Sequence, residues 1–327
     1  MTTAAFPPRP PAPGAPPAGV VTRITVPAGV FAPGRRPAFT LVDAIGEPTE
    51  VDRAWLEDCP GETVGIASSD IPAFRAYLRR YLSDILDTTE VPLADRAWTA
   101  HRALVHELAH LFAAGTGGRA AGLMDACRGL AWFLHRHFQP DALFRSLRFD
   151  IPHTPVVHGV ETAIGAVSVA IADGRLDVPA LSTLACAAAV ADAGLLDLPR
   201  ELREGWEHPS PMGWKAIQRH PDLSQRRMQT YGIVAPEALR AVGHHHERWD
   251  GAGYPGHLVG AAIPVEARYV AIADTYSALT VPRRGMQRMS RGDALREMAR
   301  SSGQFDPALL RILVRLLTDG AREPARS

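Results

Sequence analysis

Residues 244–264 read HHHERWDGAGYPGHLVGAAIP. Three adjacent histidines, His244, His245 and His246, have no use in an apolar core, where an unpaired polar ring is costly to bury. Gly251, Gly253, Gly256 and Gly260 fall within ten residues, and inside a helix each would cost about 1 kcal/mol. The stretch therefore predicts imidazole ligands beside a loop of special backbone shape. The remaining ligands must come from elsewhere in the chain.

Downstream lies IPVEARYVAIADTYSALT (263–280), a helical pattern that carries Asp274. Upstream lie VVHGVETA (156–163) with His158, AVADAGLLDLP (189–199) with Asp192, and RHP (219–221) with His220. Each falls on a predicted helix or at its end, so a helical bundle can bring them together. Phosphodiester hydrolysis at neutral pH needs an activated water and neutralised phosphoryl charge. Two metals about 3.5–4 Å apart supply both, held by imidazoles and carboxylates, one of which bridges. His158, Asp192, His220, His245, His246 and Asp274 are residues of those types. As neighbours on a helix, His245 and His246 point about a quarter turn apart. On that reading they do not share one metal, and one of them faces a further metal or a phosphate.

This order of motifs resembles the HD-GYP family, a branch of the HD metallohydrolases. The resemblance covers roughly residues 150–318 and is most specific from His245 to Thr280. It implies a mainly α fold, with an HD-type helical bundle at 150–320. It also implies metal-dependent hydrolysis of cyclic di-GMP to pGpG or GMP, with one or two ions of iron, manganese or nickel. By the same resemblance, His158 is the first ligand and Asp192 the bridging, catalytic carboxylate. His220 and His245 resemble ligands of the second metal, and Asp274 closes the first. Tyr254 and Pro255 belong to the loop that walls the substrate groove, and Arg283 keeps the place of a family arginine that serves the substrate. Arg248 and Asp250 hold the loop's shape. The resemblance leaves room for a homodimer and for a protein partner on the GYP loop.

The chain also departs from the family pattern. Ala191 stands where the histidine of the His-Asp pair belongs, and Leu195 replaces the following lysine. Thr154 stands where members with three metals carry Glu. Ser277 replaces a second Asp, and His257 replaces a loop glycine. These changes predict fewer bound metals and reduced activity. The alternative is a catalytically inactive cyclic-dinucleotide sensor or interaction scaffold of the same fold. His153 and His257 are the candidates to fill the vacant ligand position.

The other features set bounds. A chain of 327 residues has room for two domains, and 46% apolar content supplies a large core. Lys+Arg and Asp+Glu both number 35, which argues against a nucleic-acid polymer or a membrane surface as partner. Cys59, Cys127 and Cys186 lie far apart with no CxxC, so a reducing cytoplasm is expected. Apolar runs such as LACAAAVA, from Leu184, fall short of the roughly 18 residues of a membrane span. Residues 1–19 hold seven prolines and predict a disordered tail. A small α/β module follows at 20–90. VTRITV, AFTLVD and ETVGIA read as its strands, and PTEVDRAWLEDC and DIPAFRAYLRRYLSDIL as its helices. Residues 91–149 form a helical linker. Within it, HELAH (106–110) matches HExxH, but LFAAGTGGR follows and brings no third ligand. His106, Glu107 and His110 are therefore expected on the wet face of an amphipathic helix. His101, His135, His137 and His208 are expected at the surface.

Overall fold

The computed structural model describes residues 23–27, 41–42, 48–49, 63–89, 91–137, 154–204, 210–280, 289–301 and 303–318. The Pro-rich tail, Cys59, His153, His208 and Arg283 lie outside the described residues. The chain divides into two compact units, residues 1–74 and 75–327.

The first unit holds four short strands: β1 (Arg23–Pro27), β2 (Leu41–Val42), β3 (Pro48–Thr49) and β4 (Thr63–Ala67). They form one antiparallel sheet in the order β1-β4-β2-β3. VTRITV, AFTLVD and ETVGIA fall on β1, β2 and β4. The segment PTEVDRAWLEDC, expected as helix, opens instead on β3, and the rest of it is outside the described residues. Pro48 has no N–H to give to a ladder, and β3 is an edge strand, where that loss is tolerated.

The second unit is helical. The division falls within α1 (Ile71–Asp87). Then come α2 (Leu93–Ala113), α3 (Ala121–Arg136), α4 (Pro155–Asp173), α5 (Val178–Ala189), α6 (Arg200–Glu204) and α7 (Pro211–Ile217). The rest are α8 (His220–Tyr231), α9 (Pro236–Gly243), α10 (Val265–Thr280), α11 (Arg291–Arg300) and α12 (Pro307–Thr318). The mainly α class with a helical bundle is therefore observed.

Helix α4 is the axle of the bundle. It packs against α2, α5, α10 and α12, and is buried almost continuously from Val157 to Ala170. Helices this apolar pass a composition test for membrane spans, as does Val178–Asp197, yet most of each lies buried inside the bundle. They are long and apolar because neighbours cover them on several sides. Thr154 starts α4: its hydroxyl accepts from the Val157 N–H at 3.2 Å, and Pro155 follows at the first helical position. The residue that replaces a family glutamate is thus an N-cap.

Two glycines set the approach of the elements around Asp192. A Cβ on Gly159 of α4 would lie 2.3 Å from the Ala189 carbonyl at the end of α5. A Cβ on Gly194 would lie 2.3 Å from the His220 carbonyl and 2.6 Å from the Ser224 nitrogen. With hydrogen at both positions, the turn carrying Asp192 is clamped between α4 and α8. The Gly194 N–H completes the clamp by donating to Ser224 Oγ at 2.7 Å.

Two expectations about α2 are corrected. Glu107 is buried rather than wet, and faces Arg75 and Arg79 of α1. His101 is 1% exposed, not a surface residue. Periodicity locates the apolar stripe of a helix, but α2 is covered by α1, α3 and α4 and so buries polar positions beside that stripe. Burial, and then the nearby Arg102 and His106, hold the His101 imidazole down at about 3. Burial with Arg102 and Arg75 holds His106 at about 4.

This depression carries a sign. An unfolded histidine takes up its proton near pH 6.5, whereas folded His101 does so only near 3. Between those values the unfolded chain binds more protons, so stability falls as pH drops below about 6.5. At pH 5 the loss from His101 is about 2 kcal/mol. His101→Gln is expected to lower stability at pH 7 but to flatten the fall between pH 7 and pH 5, read from urea midpoints. An unchanged pH slope would contradict this account.

Candidate metal centre

Six sequence-predicted residues converge. His158 comes from the first turn of α4, and Asp192 from the turn after α5. His220 opens α8, His245 and His246 sit in the turn after α9, and Asp274 lies on α10. Their donor atoms form two groups. Asp192, His220, His245 and His246 make one, and His158, Asp192 and Asp274 make the other. Within each group all donors lie within 4.8 Å of one another.

Asp192 belongs to both groups, one oxygen to each. Its Oδ1 is 3.2 Å from His220 Nε2 and 3.6 Å from His245 Nε2. Its Oδ2 is 3.4 Å from His158 Nε2. His158 Nε2 also meets Asp274 Oδ1 at 2.7 Å.

The far side of each ring is fixed. His220 Nδ1–H donates to the Ile217 carbonyl at 2.8 Å, and His245 Nδ1–H to the Val242 carbonyl at 2.6 Å. His158 Nδ1 meets Ser277 Oγ at 3.0 Å, and Ser277 in turn reaches Glu161 Oε2 at 3.4 Å. Partners of this kind orient imidazoles in metal sites and leave the other nitrogen free to ligate. His220 Nε2 lies 3.3 Å from His245 Nε2 and 3.1 Å from His246 Nε2. Three imidazole nitrogens this close, beside a carboxylate, suit a shared divalent cation.

The electrostatics agree. Burial alone would raise the Asp192 carboxyl, but hydrogen bonds with His158, His220 and His245 outweigh it and hold the group well below the usual range. Burial works against the His158 cation, yet Asp192 and Asp274 raise the ring to about 10. Burial, with His245 and His220 as neighbours, pushes His246 down. Metal and proton compete for the same lone pairs, as in any site built from acids and imidazoles.

One expectation about this cluster fails. His245 and His246 do share a ligand group. Helix α9 ends at Gly243, and residues 244–246 form a turn, so helical spacing does not separate the two rings. His244 stays outside both groups and faces Glu247 at 3.8 Å. His257 joins neither group, and at φ 53° it holds the left-handed backbone of the glycine it replaces. Ala191 is buried and provides no donor.

The loop packs onto the cluster. The Tyr254 ring stacks on His246 with centroids 4.9 Å apart, and meets Trp214 of α7 edge-on at 6.2 Å. The Tyr254–Pro255 bond is cis. Burial, then Asp192 and Asp274, keep the Tyr254 phenol protonated well above its usual range. Glu247 is buried and accepts from the Gly256 N–H at 2.5 Å and the Leu258 N–H at 3.0 Å. Arg248 grips Asp250 through two bonds, at 3.0 and 2.7 Å. Sequence reasoning did not single out Trp214, Glu161 or Glu247. Trp214 did carry a signal, an isolated tryptophan six residues before His220.

Residues 153–309 match the HD domain family. Over 107 residues the chain is 40% identical to the cyclic di-GMP phosphodiesterase response regulator RpfG of Xanthomonas campestris, covering 30% of this chain and 27% of that protein. Residues 153–309 carry an HD domain. A cyclic di-GMP phosphodiesterase of Pseudomonas aeruginosa is 35% identical over 99 residues, 30% of this chain and 24% of that protein. A 3′3′-cGAMP-specific phosphodiesterase of Vibrio cholerae is 35% identical over 130 residues, 38% of this chain and 30% of that protein. The chain thus spans 24–30% of the length of these relatives. Bd1817, an HDG"Y"P protein of Bdellovibrio bacteriovorus, superposes with a TM-score of 0.64 at 18% identity, over 90% of this chain and 99% of that one. That likeness concerns the fold. HD domains are metal-dependent, and this HD domain has donor groups that can hold metal.

The HExxH histidines belong to neither ligand group. Replacing His106 and His110 together with Ala is expected to leave the metal content of the purified protein unchanged. Loss of one zinc per chain would overturn that expectation.

Proposed function

We propose that the chain hydrolyses a cyclic dinucleotide, cyclic di-GMP or the related 3′3′-cGAMP, to a linear product with two divalent ions. The observation that carries this reading is Asp192, which offers one oxygen to each of two donor groups. When bound, a metal pair supplies hydroxide and neutralises phosphoryl charge. The chain's own residues do the rest. Asp192, His158 and Asp274 form one half of the cradle, and Asp192, His220, His245 and His246 the other. The backbone carbonyls of Ile217 and Val242 keep His220 and His245 aimed inward. Tyr254 and Trp214 line the entrance and offer aromatic faces to a nucleobase. Iron, manganese and nickel are the ions proposed.

The test is an assay with both cyclic dinucleotides after loading with Mn²⁺, Fe²⁺ or Ni²⁺, alongside metal analysis. Linear product that disappears with a chelator is the expected result. No product from a folded protein holding two ions per chain would overturn it. A second reading, nucleotide binding without turnover, is favoured by Ala191, which leaves three protein donors in the His158 group. Nucleotide binding without product would support that reading.

Trp214 is 42% exposed beside Tyr254. Stacking of a base on an aromatic ring contributes about 1–3 kcal/mol. Trp214→Ala is therefore expected to raise KM roughly tenfold with little change in kcat. An unchanged KM would remove Trp214 from the substrate path.

A further inference from the structure

The second unit contains a cleft of about 1020 Å³ that no part of the metal centre uses. It runs between α1, α3 and α5 and reaches the connection from α8 to α9. Leu78, Leu82, Leu86, Trp132, Val178 and Ile233 make its walls apolar. Its size lies at the upper end of the range for small-molecule sites.

The cleft has one charged end. Arg75 and Arg79 lie one turn apart on α1, with their Nε atoms 3.7 and 3.8 Å from Glu107 Oε1. The Glu107 side chain is 6% exposed, and its Oε1 accepts no hydrogen bond. Gly122 makes room for it, since a Cβ there would lie 2.0 Å from Glu107 Oε2. Two guanidiniums face one carboxylate, so one positive charge is left over. The other charged side chains of the lining do not cancel it. Asp125 and Arg128 pair with each other at 3.1 Å, and Asp87 lies two turns beyond Arg79, about 12 Å away by helical rise.

We infer that this cleft binds an amphiphilic monoanion, with a carboxylate head on Arg75 and Arg79 and an apolar chain laid along α1 past Leu82 and Leu86. The arginines give the head charge-assisted hydrogen bonds. The leucines and Trp132 take the chain out of water. The site also touches two elements that lead to the metal centre. Ser182 and Cys186 of α5 line the cleft, and α5 ends in the turn carrying Asp192. Ile233 and Pro236 line it too, and α9 ends in the turn carrying His245 and His246. An occupant therefore bears on both donor groups.

The test is calorimetric titration of the full chain with dodecanoate and, separately, dodecyltrimethylammonium, both below their micelle concentrations. Dodecanoate is expected to bind once per chain and more tightly than the cation. Arg75→Gln with Arg79→Gln should weaken it roughly tenfold or more. Glu107→Gln removes the opposing charge and should tighten it. Ser182→Trp fills the cleft and should abolish binding while leaving the circular dichroism spectrum intact. If the double arginine variant fails to fold, Glu107→Gln and Ser182→Trp decide. No heat at about 1 mM dodecanoate overturns the proposal, as does equal affinity for the two head groups or undiminished binding by Ser182→Trp.

Discussion

Asp192→Asn is expected to strip the protein of the His158-side ion and to weaken the other, with hydrolysis lost beyond detection. Among the described residues the two groups share this carboxylate alone, Oδ1 toward His220 and His245 and Oδ2 toward His158. Asparagine keeps the shape but offers one neutral oxygen. The His158 group would be left with His158 and Asp274, too few protein donors to hold an ion firmly. The other group would keep three imidazoles and can retain one ion. Losses one shell further out already cost 10–100-fold in affinity or activity, so the fall in activity should exceed about 100-fold. Metal analysis and the phosphodiesterase assay read the two effects separately. Full metal content in the Asn variant would show that Asp192 does not bridge.

Ala191→His with Leu195→Lys is expected to act in the opposite direction. Ala191 precedes the bridging carboxylate and sits in the same turn, which Gly194 and Ser224 hold against α8. An imidazole there adds a fourth protein donor to the three-donor group. A lysine at 195 adds positive charge close to the phosphate. Gains of at least about tenfold in turnover are expected, since a donor lost from the first shell costs at least that much. Ala191 is buried, at 3% exposure, and overpacking a filled site costs about 1–3 kcal/mol. An unchanged melting profile is therefore the first control. A folded variant with both ions in place and no product would show that the groove does not present substrate, and nucleotide binding alone would then be the surviving function.

The residues that converge were legible because imidazoles and carboxylates stand in a telling order among apolar helices. The resemblance also divides them into two groups as the structure does, and only the place of His246 was not legible. Helical spacing holds only while the helix lasts, and α9 stops at Gly243, one residue before the triple histidine begins. Thr154 and Ser277 were read as losses. In three dimensions Thr154 caps α4 and Ser277 steadies His158, so each has another use. The HExxH histidines join neither donor group, and their glutamate, expected in water, is buried. Which side of α2 is covered depends on α1 and α3, and that information lies in tertiary packing rather than in the period of one helix.

The loop from Arg248 to Leu258 has its own scaffold. Glu247 holds it through two backbone N–H groups, and Arg248 ties Asp250, which accepts from Ala252 N–H at 3.0 Å. None of these residues belongs to either donor group. If the proposed function holds, the shape that would meet a nucleotide is therefore built apart from the donors that would hold metal. On that reading, a chain with Ala191 at the His-Asp position would still present the same face, and loss of turnover would leave a reader of cyclic dinucleotides without any rebuilding of the fold.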